Sequence, residues 1–292
     1  MVTERFAPSP TGPLHLGHAY SAWCGWSAAR DAGGRFLIRM EDLDTSRVRP
    51  EYYDQITDDL AWLGLDWDGE ILWQSKRIEA YQQALGILRA KGLVYACTCT
   101  RRDIQAAISA PQEGVAHGPD GPVYPGTCRH AARGPEDAHA LRLDMGAAIA
   151  ALGGADAVGR LFIEEKGQGP EGETGKIMLD PASLIDQTGD IVLSRRDGAI
   201  AYHLAVVVDD AHQGVTHVTR GEDLFAATPI HRVLQALLGL PTPVYRHHRL
   251  VRDDNGRRLA KRDDARSIAS YRKAGLSPAE VWRLAGVTDP RA

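Results

Sequence analysis

The order of elements in the first 40 residues restricts the fold more than any other feature of this sequence. A short, partly apolar segment at 3–7 runs into a proline-rich loop at 8–13. Residues 14–32 have Ala, Trp and Tyr at helical spacing and stop at Gly33-Gly34, and residues 35–40 are a second strand candidate. A strand, a helix and a second strand in this order form a βαβ unit of a parallel sheet. The sequence therefore predicts an α/β protein.

Length and composition are typical of a globular protein with a buried core. Of the 292 residues, 43% are hydrophobic and 25% are charged, so one large domain or two smaller ones are expected. Residues 1–10 contain charges and prolines instead of the apolar stretch of a signal peptide. No window approaches the roughly 20 apolar residues of a membrane span. We therefore expect a cytoplasmic protein.

The charge distribution restricts where a nucleic acid could bind. A formal net charge of −4 does not indicate a general nucleic-acid binder, which usually has a basic excess. One local exception is the segment 241–266, which contains eight Lys or Arg residues and four Asp residues. The basic residues are Arg246, Arg249, Arg252, Arg257, Arg258, Lys261, Arg262 and Arg266. A local RNA contact and a solvated charged loop both fit this pattern.

The rest of the chain predicts a sheet domain that is interrupted by an insertion. Between 97 and 190, many Gly, Pro and Ala with weak periodicity indicate a subdomain that folds beside the main sheet. The other predicted elements are helices at 50–63, 75–91, 229–240 and 267–284, and helical and strand patterns at 199–208 and 215–220. The expected units are a sheet domain in two halves (1–96 and 191–240), the insertion (97–190) and a final region (241–292).

Two histidines open the first predicted helix in the motif His15-Leu16-Gly17-His18. At this position both can face a phosphate on the helix N-terminus, where free backbone N–H groups also bind anionic oxygens. Gly17 leaves room for a nucleotide to approach the backbone. Two surface histidines are the alternative for this motif alone, but the proline-rich loop before it favours a nucleotide site.

Three of the four cysteines suggest a metal site in the insertion. Cys24 lies in an apolar stretch and is expected to be a buried small residue. The others occur as Cys97-Thr98-Cys99 and as the last residue of the run from Tyr124 to Cys128. Three thiolates leave a tetrahedral zinc site one ligand short, which a phenolate or a histidine can complete. His117 and His130 are the rivals of Tyr124, and three free cysteines are a further alternative.

These motifs resemble those of class I aminoacyl-tRNA synthetases. His15-Leu16-Gly17-His18 resembles the HIGH signature, and the run that begins at Arg5 resembles the opening of the glutamyl and glutaminyl branch. Arg258-Leu259-Ala260-Lys261-Arg262 resembles a KMSKS-type loop, from which Arg258 and Ala260 depart. The resemblance implies that His15, Gly17 and His18 hold ATP and that Lys261 stabilises phosphate charge as pyrophosphate leaves.

The same resemblance implies a fold. It is an α/β fold with a Rossmann-like class I catalytic domain, an inserted zinc-bearing subdomain and a short helical C-terminal segment, without an anticodon-binding domain. The catalytic domain would comprise residues 1–96 and 191–240, and the lysine loop would lie in the final region, 241–292.

A glutamate site is implied by residues spread along the chain. An amino acid needs a cation for its side-chain carboxylate, an acid for its ammonium and small polar groups for orientation. Glu41 belongs to a segment, 39–44, that resembles the family's R-x-E-D-x-D motif, and Arg220 opens a segment that resembles its RGE motif. The glutamate residues that the resemblance implies are Arg5, Ser9, Glu41, Tyr202 and Arg220.

Three further features resemble the short paralogues of glutamyl-tRNA synthetase. Val206 stands where the full-length enzymes commonly have asparagine, so we expect a less polar glutamate pocket with weaker affinity. The chain ends at residue 292, soon after the lysine loop. The cysteine pattern matches the C-x-C…Y-x3-C pattern of these paralogues, which implies a structural zinc site at Cys97, Cys99, Tyr124 and Cys128.

The short paralogues suggest a two-step ligase reaction. ATP with magnesium would activate L-glutamate to glutamyl-adenylate, and glutamate would pass to queuosine at the wobble position of tRNA(Asp). A monomer is expected. The alternatives are a minimal glutamyl-tRNA synthetase that charges the tRNA 3′ end, a small-molecule nucleotidylyltransferase and a non-catalytic RNA-binding remnant. The nucleotidylyltransferase would not account for Glu41, Tyr202 and Arg220.

Overall fold

The computed structural model describes residues 1–108, 117–131, 138–195, 198–251 and 266–288. Strands in these ranges are β1 (Thr3–Phe6), β2 (Arg35–Met40), β3 (Leu72–Trp73), β4 (Val94–Cys97), β5 (His117–Gly118), β6 (Gly121–Pro122), β7 (Ala140–Leu143), β8 (Phe162–Glu165), β9 (Gly175–Met178), β10 (Val192–Arg195), β11 (His217–Gly221) and β12 (Val244–His248). The α-helices are α1 (Leu16–Asp31), α2 (Glu51–Trp62), α3 (Ile78–Ala90), α4 (Arg101–Ile108), α5 (Met145–Ala151), α6 (Ala155–Val158), α7 (Pro181–Ser183), α8 (Tyr202–His212), α9 (Thr228–Leu238), α10 (Ile268–Lys273) and α11 (Pro278–Ala285). None of these helices is long and apolar enough to cross a membrane.

Parallel strands from both halves of the chain meet in the main domain. β1 pairs in parallel with β2, with Thr3 opposite Arg35, and β2 pairs in parallel with β3. β12 pairs in parallel with both β11 and β8, and β9 joins this sheet in the antiparallel direction. β1 lies beside β11, where the Thr216 N–H donates to the Thr3 carbonyl at 3.0 Å. The prediction of an α/β protein with a parallel sheet is confirmed.

The first crossover helix, α1, is held by an apolar face. Ala19, Ala22, Trp26 and Ala29 are each at most 8% exposed, and the helix packs on β1 and β2. Each large apolar side chain that is fully buried stabilises the fold by about 1.5–3 kcal/mol. The helix ends before Gly33, whose φ of +59° lies in the left-handed region that favours glycine.

Antiparallel strands within and at the borders of the predicted insertion, 97–190, share the main core. β4, β7 and β10 form an antiparallel sheet in the order β10-β7-β4, and β5 and β6 form a small hairpin. Leu143 and Leu193 of this sheet pack in one apolar cluster with Tyr81, Leu204 and Leu234 of α3, α8 and α9. The antiparallel sheet is therefore fixed to the helices that support the main domain.

The stretch predicted to be helical at 267–284 is helical but is not one continuous helix. The chain forms α10 and α11 instead, and Gly275 between them has φ +84°. The Ser277 hydroxyl accepts from the Glu280 N–H, and the Glu280 carboxylate accepts from the Ser277 N–H, which is a capping box that starts a new helix. Pro278 occupies the first turn.

The helix predicted at 75–91 begins later, at Ile78, because residues 74–76 form a 3-10 turn.

A buried carboxylate connects α8 to α3. Asp209 is fully buried and accepts hydrogen bonds from Gln74, Arg77 and Tyr81 at 2.8–2.9 Å. Burial, together with the Asp209 charge, raises the pKa of the Tyr81 hydroxyl, which therefore keeps its proton and donates. Three donors offset the cost of removing this carboxylate from water.

Replacement of Tyr81 with phenylalanine is expected to lower the free energy of unfolding by about 1.5–3 kcal/mol, because a hydrogen bond to a charged group is lost. Urea unfolding followed by circular dichroism would measure the change. Tyr271→Phe is the matched control, since the Tyr271 hydroxyl has no hydrogen bond to the described residues and its ring is partly buried. Equal losses in both variants would contradict the role of the bond to Asp209.

Candidate active site and metal centre

One cavity of about 540 Å³ lies at the carboxyl ends of β1, β2, β11 and β12. Ligand sites are typical of this edge in α/β proteins. The cavity wall includes eight of the nine residues that the sequence assigned to ATP and glutamate, namely Arg5, Ser9, His15, Gly17, His18, Glu41, Tyr202 and Arg220. The ninth, Lys261, lies outside the described residues. Residues distant in sequence therefore share one site.

The two histidines of the first motif form a compact pair at the start of α1. His15 is the N-cap residue, and its Nδ1 accepts from the Gly17 N–H at 3.1 Å. The His15 N–H donates to His18 Nδ1 at 3.3 Å, and the two rings stack with centroids 3.8 Å apart. Since both Nδ1 atoms accept, each neutral ring has its proton on Nε2. A Cβ at position 17 would lie 3.0 Å from His15 Cε1, so glycine permits this packing.

The proline-rich loop is fixed by main-chain hydrogen bonds. The Glu41 N–H donates to the Pro8 carbonyl at 2.9 Å, which ties the end of β2 to the loop. Within the loop, the Thr11 N–H donates to the Ser9 carbonyl at 2.8 Å. Ser9 and Glu41 consequently face the same cavity although 31 residues separate them.

A buried ion network lies beneath the cavity. Asp210 accepts from Arg5 Nε at 3.1 Å and from Arg39 at 2.7 Å, and Arg5 also donates to the Thr219 carbonyl at 3.4 Å. Burial alone would raise the pKa of Asp210, but the two arginines hold it below its ordinary value. Burial raises the pKa of Glu41, which Arg39 contacts only at 3.5 Å. Glu41 is thus an incompletely paired carboxylate that an incoming cation would stabilise.

Arg220 is a buried cation that has only neutral partners. It is 4% exposed, and its guanidinium donates to His247 Nε2 at 3.1 Å, His231 Nδ1 at 3.2 Å, Thr228 Oγ1 at 2.7 Å and the Tyr202 hydroxyl at 3.4 Å. Within the part of the chain that the structure describes, no carboxylate lies within ion-pair distance of it. An unpaired charge in a buried position is costly, so this side of the cavity favours an anionic ligand.

Val206 does not line the cavity. It is 1% exposed and packs in the large apolar cluster with Ala205 and Val207. The expectation that Val206 makes the wall of the glutamate pocket less polar is therefore wrong. Valine suits this apolar position, where an asparagine would need polar partners of its own.

The described residues on either side of segment 252–265 border the cavity. Val251 is part of its wall. At the other end, Ser267 forms a β-bridge with His15, and the Ile268 N–H donates to the Leu14 carbonyl at 2.8 Å. One flank of the segment that contains Lys261 therefore lines the cavity, and the other pairs with His15.

The three clustered cysteines form a second candidate site, away from the cavity. The Sγ atoms of Cys97, Cys99 and Cys128 all lie within 4.8 Å of one another, and Cys99 and Cys128 are 3.5 Å apart. The Tyr124 hydroxyl lies 3.4 Å from both Cys97 Sγ and Cys99 Sγ. Ligand atoms around a tetrahedral zinc ion are separated by about 3.8 Å, so these four groups fit a metal ion such as zinc.

Tyr124 packs within the cysteine cluster, whereas the two candidate histidines do not. His117 and His130 are exposed and do not belong to the cluster. Burial opposes ionisation of the Cys128 thiol, but hydrogen bonds from Tyr124 and from the Thr98 N–H lower its pKa, whereas burial raises the pKa of the Cys99 thiol. A thiolate is the form that binds a metal. Cys24, expected to be buried, is only partly buried and lies outside the cluster.

Sequence reasoning missed the residues that support the site. Asp210 lies four residues after Val206, in the stretch 202–210 that resembles a segment of the full-length enzymes, and this position was its only signal in the sequence. His231 and His247 belong to no motif that the sequence revealed, and only the fold brings them to Arg220.

Comparisons with known proteins identify the family. Residues 1–288 match the family model of the catalytic domain of class I tRNA synthetases (E and Q). A Glutamyl-Q tRNA(Asp) synthetase of Rhodobacter capsulatus is 54% identical over 98% of this chain and 100% of its own length. Another of that name from Nocardia farcinica is 44% identical over 96% of this chain and 82% of its own.

Solved structures agree with this result. A glutamate tRNA ligase from Elizabethkingia meningosepticum, crystallised with its amino acid, is 25% identical with a TM-score of 0.74. The match covers 97% of this chain but only 60% of that structure. The likeness confirms the α/β class I synthetase fold implied by the first motif. The chain therefore belongs to the class I tRNA synthetases of the glutamyl and glutaminyl branch, in the group whose members are called glutamyl-Q tRNA(Asp) synthetases.

Proposed function

We propose that this enzyme activates L-glutamate with ATP and transfers it to queuosine at the wobble position of tRNA(Asp). The observation on which the activation step depends is the meeting of eight expected residues around one cavity, with the buried Arg220 lacking a carboxylate partner among the described residues. The identity of the tRNA comes from the relatives, which are named for tRNA(Asp).

Glutamate would bind between Arg220 and Glu41. The Arg220 guanidinium would pair with the side-chain carboxylate, and the Tyr202 hydroxyl, 3.4 Å from it, would donate to the same group. The Glu41 carboxylate, whose pKa burial raises, would accept hydrogen bonds from the substrate ammonium, and this added positive charge would lower that pKa. Arg5 and Ser9 would complete the site, with Arg5 held in place by Asp210.

ATP would lie against the start of α1. The Nε2–H groups of His15 and His18 and the backbone N–H groups of the first turn can donate to phosphate oxygens. Magnesium bound with ATP would neutralise phosphate charge, and Lys261 would add a cation as pyrophosphate leaves. This role for Lys261 is supported by the flanks of its segment, since Val251 lines the cavity and Ser267 pairs with His15.

The proposed reaction has two balanced steps. A glutamate α-carboxylate oxygen attacks the α-phosphorus, and the bond from that phosphorus to the bridging oxygen breaks to release pyrophosphate. A queuosine hydroxyl then attacks the carbonyl carbon of glutamyl-adenylate, so that an ester forms, AMP leaves and the hydroxyl proton is released. Positioning and charge neutralisation are the contributions of the enzyme in both steps.

We propose that the enzyme acts as a monomer and that it is located in the cytoplasm, where its substrates ATP and tRNA occur.

We propose in addition that Cys97, Cys99, Tyr124 and Cys128 hold one structural zinc ion. The distances within the cluster fit tetrahedral ligation. Four protein ligands would leave no open position for substrate. The ion would therefore stabilise the part of the chain that contains β4 and the segment at 124–128, and take no part in glutamate activation.

Exchange of labelled pyrophosphate into ATP tests the activation step. We expect exchange that requires glutamate and proceeds without tRNA, because the described cavity contains groups for both small substrates. Aspartate and glutamine are the controls and should support little exchange. Exchange in the absence of any amino acid would favour a small-molecule nucleotidylyltransferase, and no exchange under any condition would favour a non-catalytic RNA-binding protein.

A further inference from the structure

The hydrogen bonds around Arg220 have a fixed direction. A guanidinium has only N–H donors, so the ring atoms that it contacts, His247 Nε2 and His231 Nδ1, must accept. Each neutral ring then has its proton on the opposite nitrogen. Each protonated nitrogen donates to a further side chain. Two rows of hydrogen bonds therefore lead away from Arg220, one through His247 and one through His231.

The first row ends at Glu165. His247 Nδ1–H donates to Glu165 Oε2 at 2.5 Å, and both side chains are fully buried. Glu165 Oε1 accepts from the backbone N–H groups of His247 at 2.9 Å and of Gly167 at 2.7 Å. All three bonds need a carboxylate oxygen as acceptor. Although burial opposes ionisation, these bonds from His247 and Gly167 lower the pKa of Glu165.

The second row ends at Asp120. His231 Nε2–H donates to His203 Nδ1 at 3.0 Å, and His203 Nε2–H donates to the two Asp120 oxygens at 3.1 Å. Asp120 lies in the turn between β5 and β6 and is exposed, whereas both rings are buried. This row therefore joins the inserted hairpin to the wall of the cavity.

Both histidines beside Arg220 are neutral, although the hydrogen bond to Glu165 raises the pKa of His247. Burial is the main cause that lowers the pKa of His231 and of His247, and the Arg220 charge lowers both further. Protonation of either ring at its accepting nitrogen would remove an acceptor and place a second cation against Arg220. A neutral ring in the stated tautomer is thus what the guanidinium needs.

We propose that Glu165 and Asp120 are positioning residues, which fix the ring tautomers of His247 and of the His203 and His231 pair and so aim Arg220 at the side-chain carboxylate of the substrate. This inference rests on the proposed function, since it takes that carboxylate to be the ligand of Arg220. Neither Glu165 nor Asp120 lines the cavity, so both act through their histidines.

Glu165→Gln tests the first row. An amide has one acceptor oxygen where the carboxylate has two, and its NH2 group would meet a backbone N–H. We expect the KM for glutamate in pyrophosphate exchange to rise about 10-fold, the cost of one poorly formed charged hydrogen bond, while kcat and the KM for ATP change less than about 2-fold. Glu164→Gln is the matched control, because Glu164 is the adjacent residue and, among the described residues, its ion pair is with the exposed Lys166.

Asp120→Asn tests the second row in a variant that keeps its fold, because Asp120 is exposed. A rise of about 3-fold in the KM for glutamate is expected, with Asp186→Asn, another exposed position of the insertion, as control. An unchanged KM for glutamate in both row variants, or an equal rise in the KM for ATP, would overturn the inference. Wild-type exchange that does not need glutamate would overturn the proposed function instead.

The pH dependence gives an independent readout. Since the pKa values of His231 and His247 are lowered from 6.5, both rings are neutral above that pH and gain protons only below it. The wild-type KM for glutamate should therefore be constant above pH 6.5 and rise as the pH falls further. Groups facing the two rings are Arg5, Glu165, Tyr202, His203, Arg220, Asp223 and Tyr245. A KM that improves in acid would contradict the requirement for neutral rings.

Discussion

Replacement of Arg220 with lysine is expected to lower kcat/KM for glutamate about 100-fold, even though the charge is kept. The guanidinium donates at once to His247, His231 and Thr228, and an ammonium cannot reproduce this planar arrangement. It would leave buried acceptors unsatisfied and present a misplaced charge to the substrate. A 100-fold loss corresponds to about 2.7 kcal/mol of transition-state stabilisation. Glutamate-dependent pyrophosphate exchange at saturating ATP would measure it.

Two controls separate this effect from a general loss of structure. Arg89→Lys changes an exposed arginine of α3 and should leave exchange unchanged. ATP binding to the Arg220 variant, measured by calorimetry, should stay within about 2-fold of the wild type, since Arg220 is assigned to the amino acid. Loss of ATP binding together with glutamate activation would contradict that assignment.

Replacement of Cys128 with serine is expected to abolish stoichiometric metal binding and to destabilise the inserted part of the chain. A serine hydroxyl is a poor ligand beside two thiolates, and structural zinc in small domains contributes about 10–16 kcal/mol of apparent binding free energy that is coupled to folding. Elemental analysis should find about one zinc ion per wild-type chain and almost none in the variant. Limited proteolysis should become faster between residues 97 and 190.

Cys24→Ser is the matched control for the metal site. Cys24 lies outside the cysteine cluster, on α1, so this variant should keep its zinc and its resistance to proteolysis. Tyr124→Phe would distinguish the fourth ligand, because it removes only the hydroxyl that lies 3.4 Å from two of the thiols. Full zinc content and unchanged zinc affinity in Tyr124→Phe would rule out the phenolate as a ligand.

Local sequence signals predicted the βαβ unit, and eight residues that the family resemblance implied line one cavity. The Gly33 stop and the helical spacing before it come from short-range physics, and α1 and β2 lie close to the expected positions. The motifs around His15, Glu41 and Arg220 each occupy a strand end or a helix start, where chain direction alone brings them to one edge of the sheet.

Long-range packing could not be predicted in the same way. Val206 lies four residues after Tyr202. Their positions in the sequence could not show that the Tyr202 side chain faces the cavity while the Val206 side chain packs in the apolar core. The partners of Arg220 come from α8, α9 and β12, and no local pattern relates His231 or His247 to it. The break at Gly275 was missed because the apolar pattern continues on both sides of it.

The central claim, transfer to the modified base, is tested most directly by incubating the enzyme with ATP, labelled glutamate and tRNA(Asp) that has either queuosine or guanosine at the wobble position. Both tRNAs should be used with and without their 3′-terminal adenosine. We predict that only the queuosine form is labelled, that removal of the terminal adenosine has no effect, and that nuclease digestion recovers the label in the anticodon-loop fragment. Equal labelling of both forms, or labelling that requires the terminal adenosine, would contradict the proposed function and favour a minimal glutamyl-tRNA synthetase.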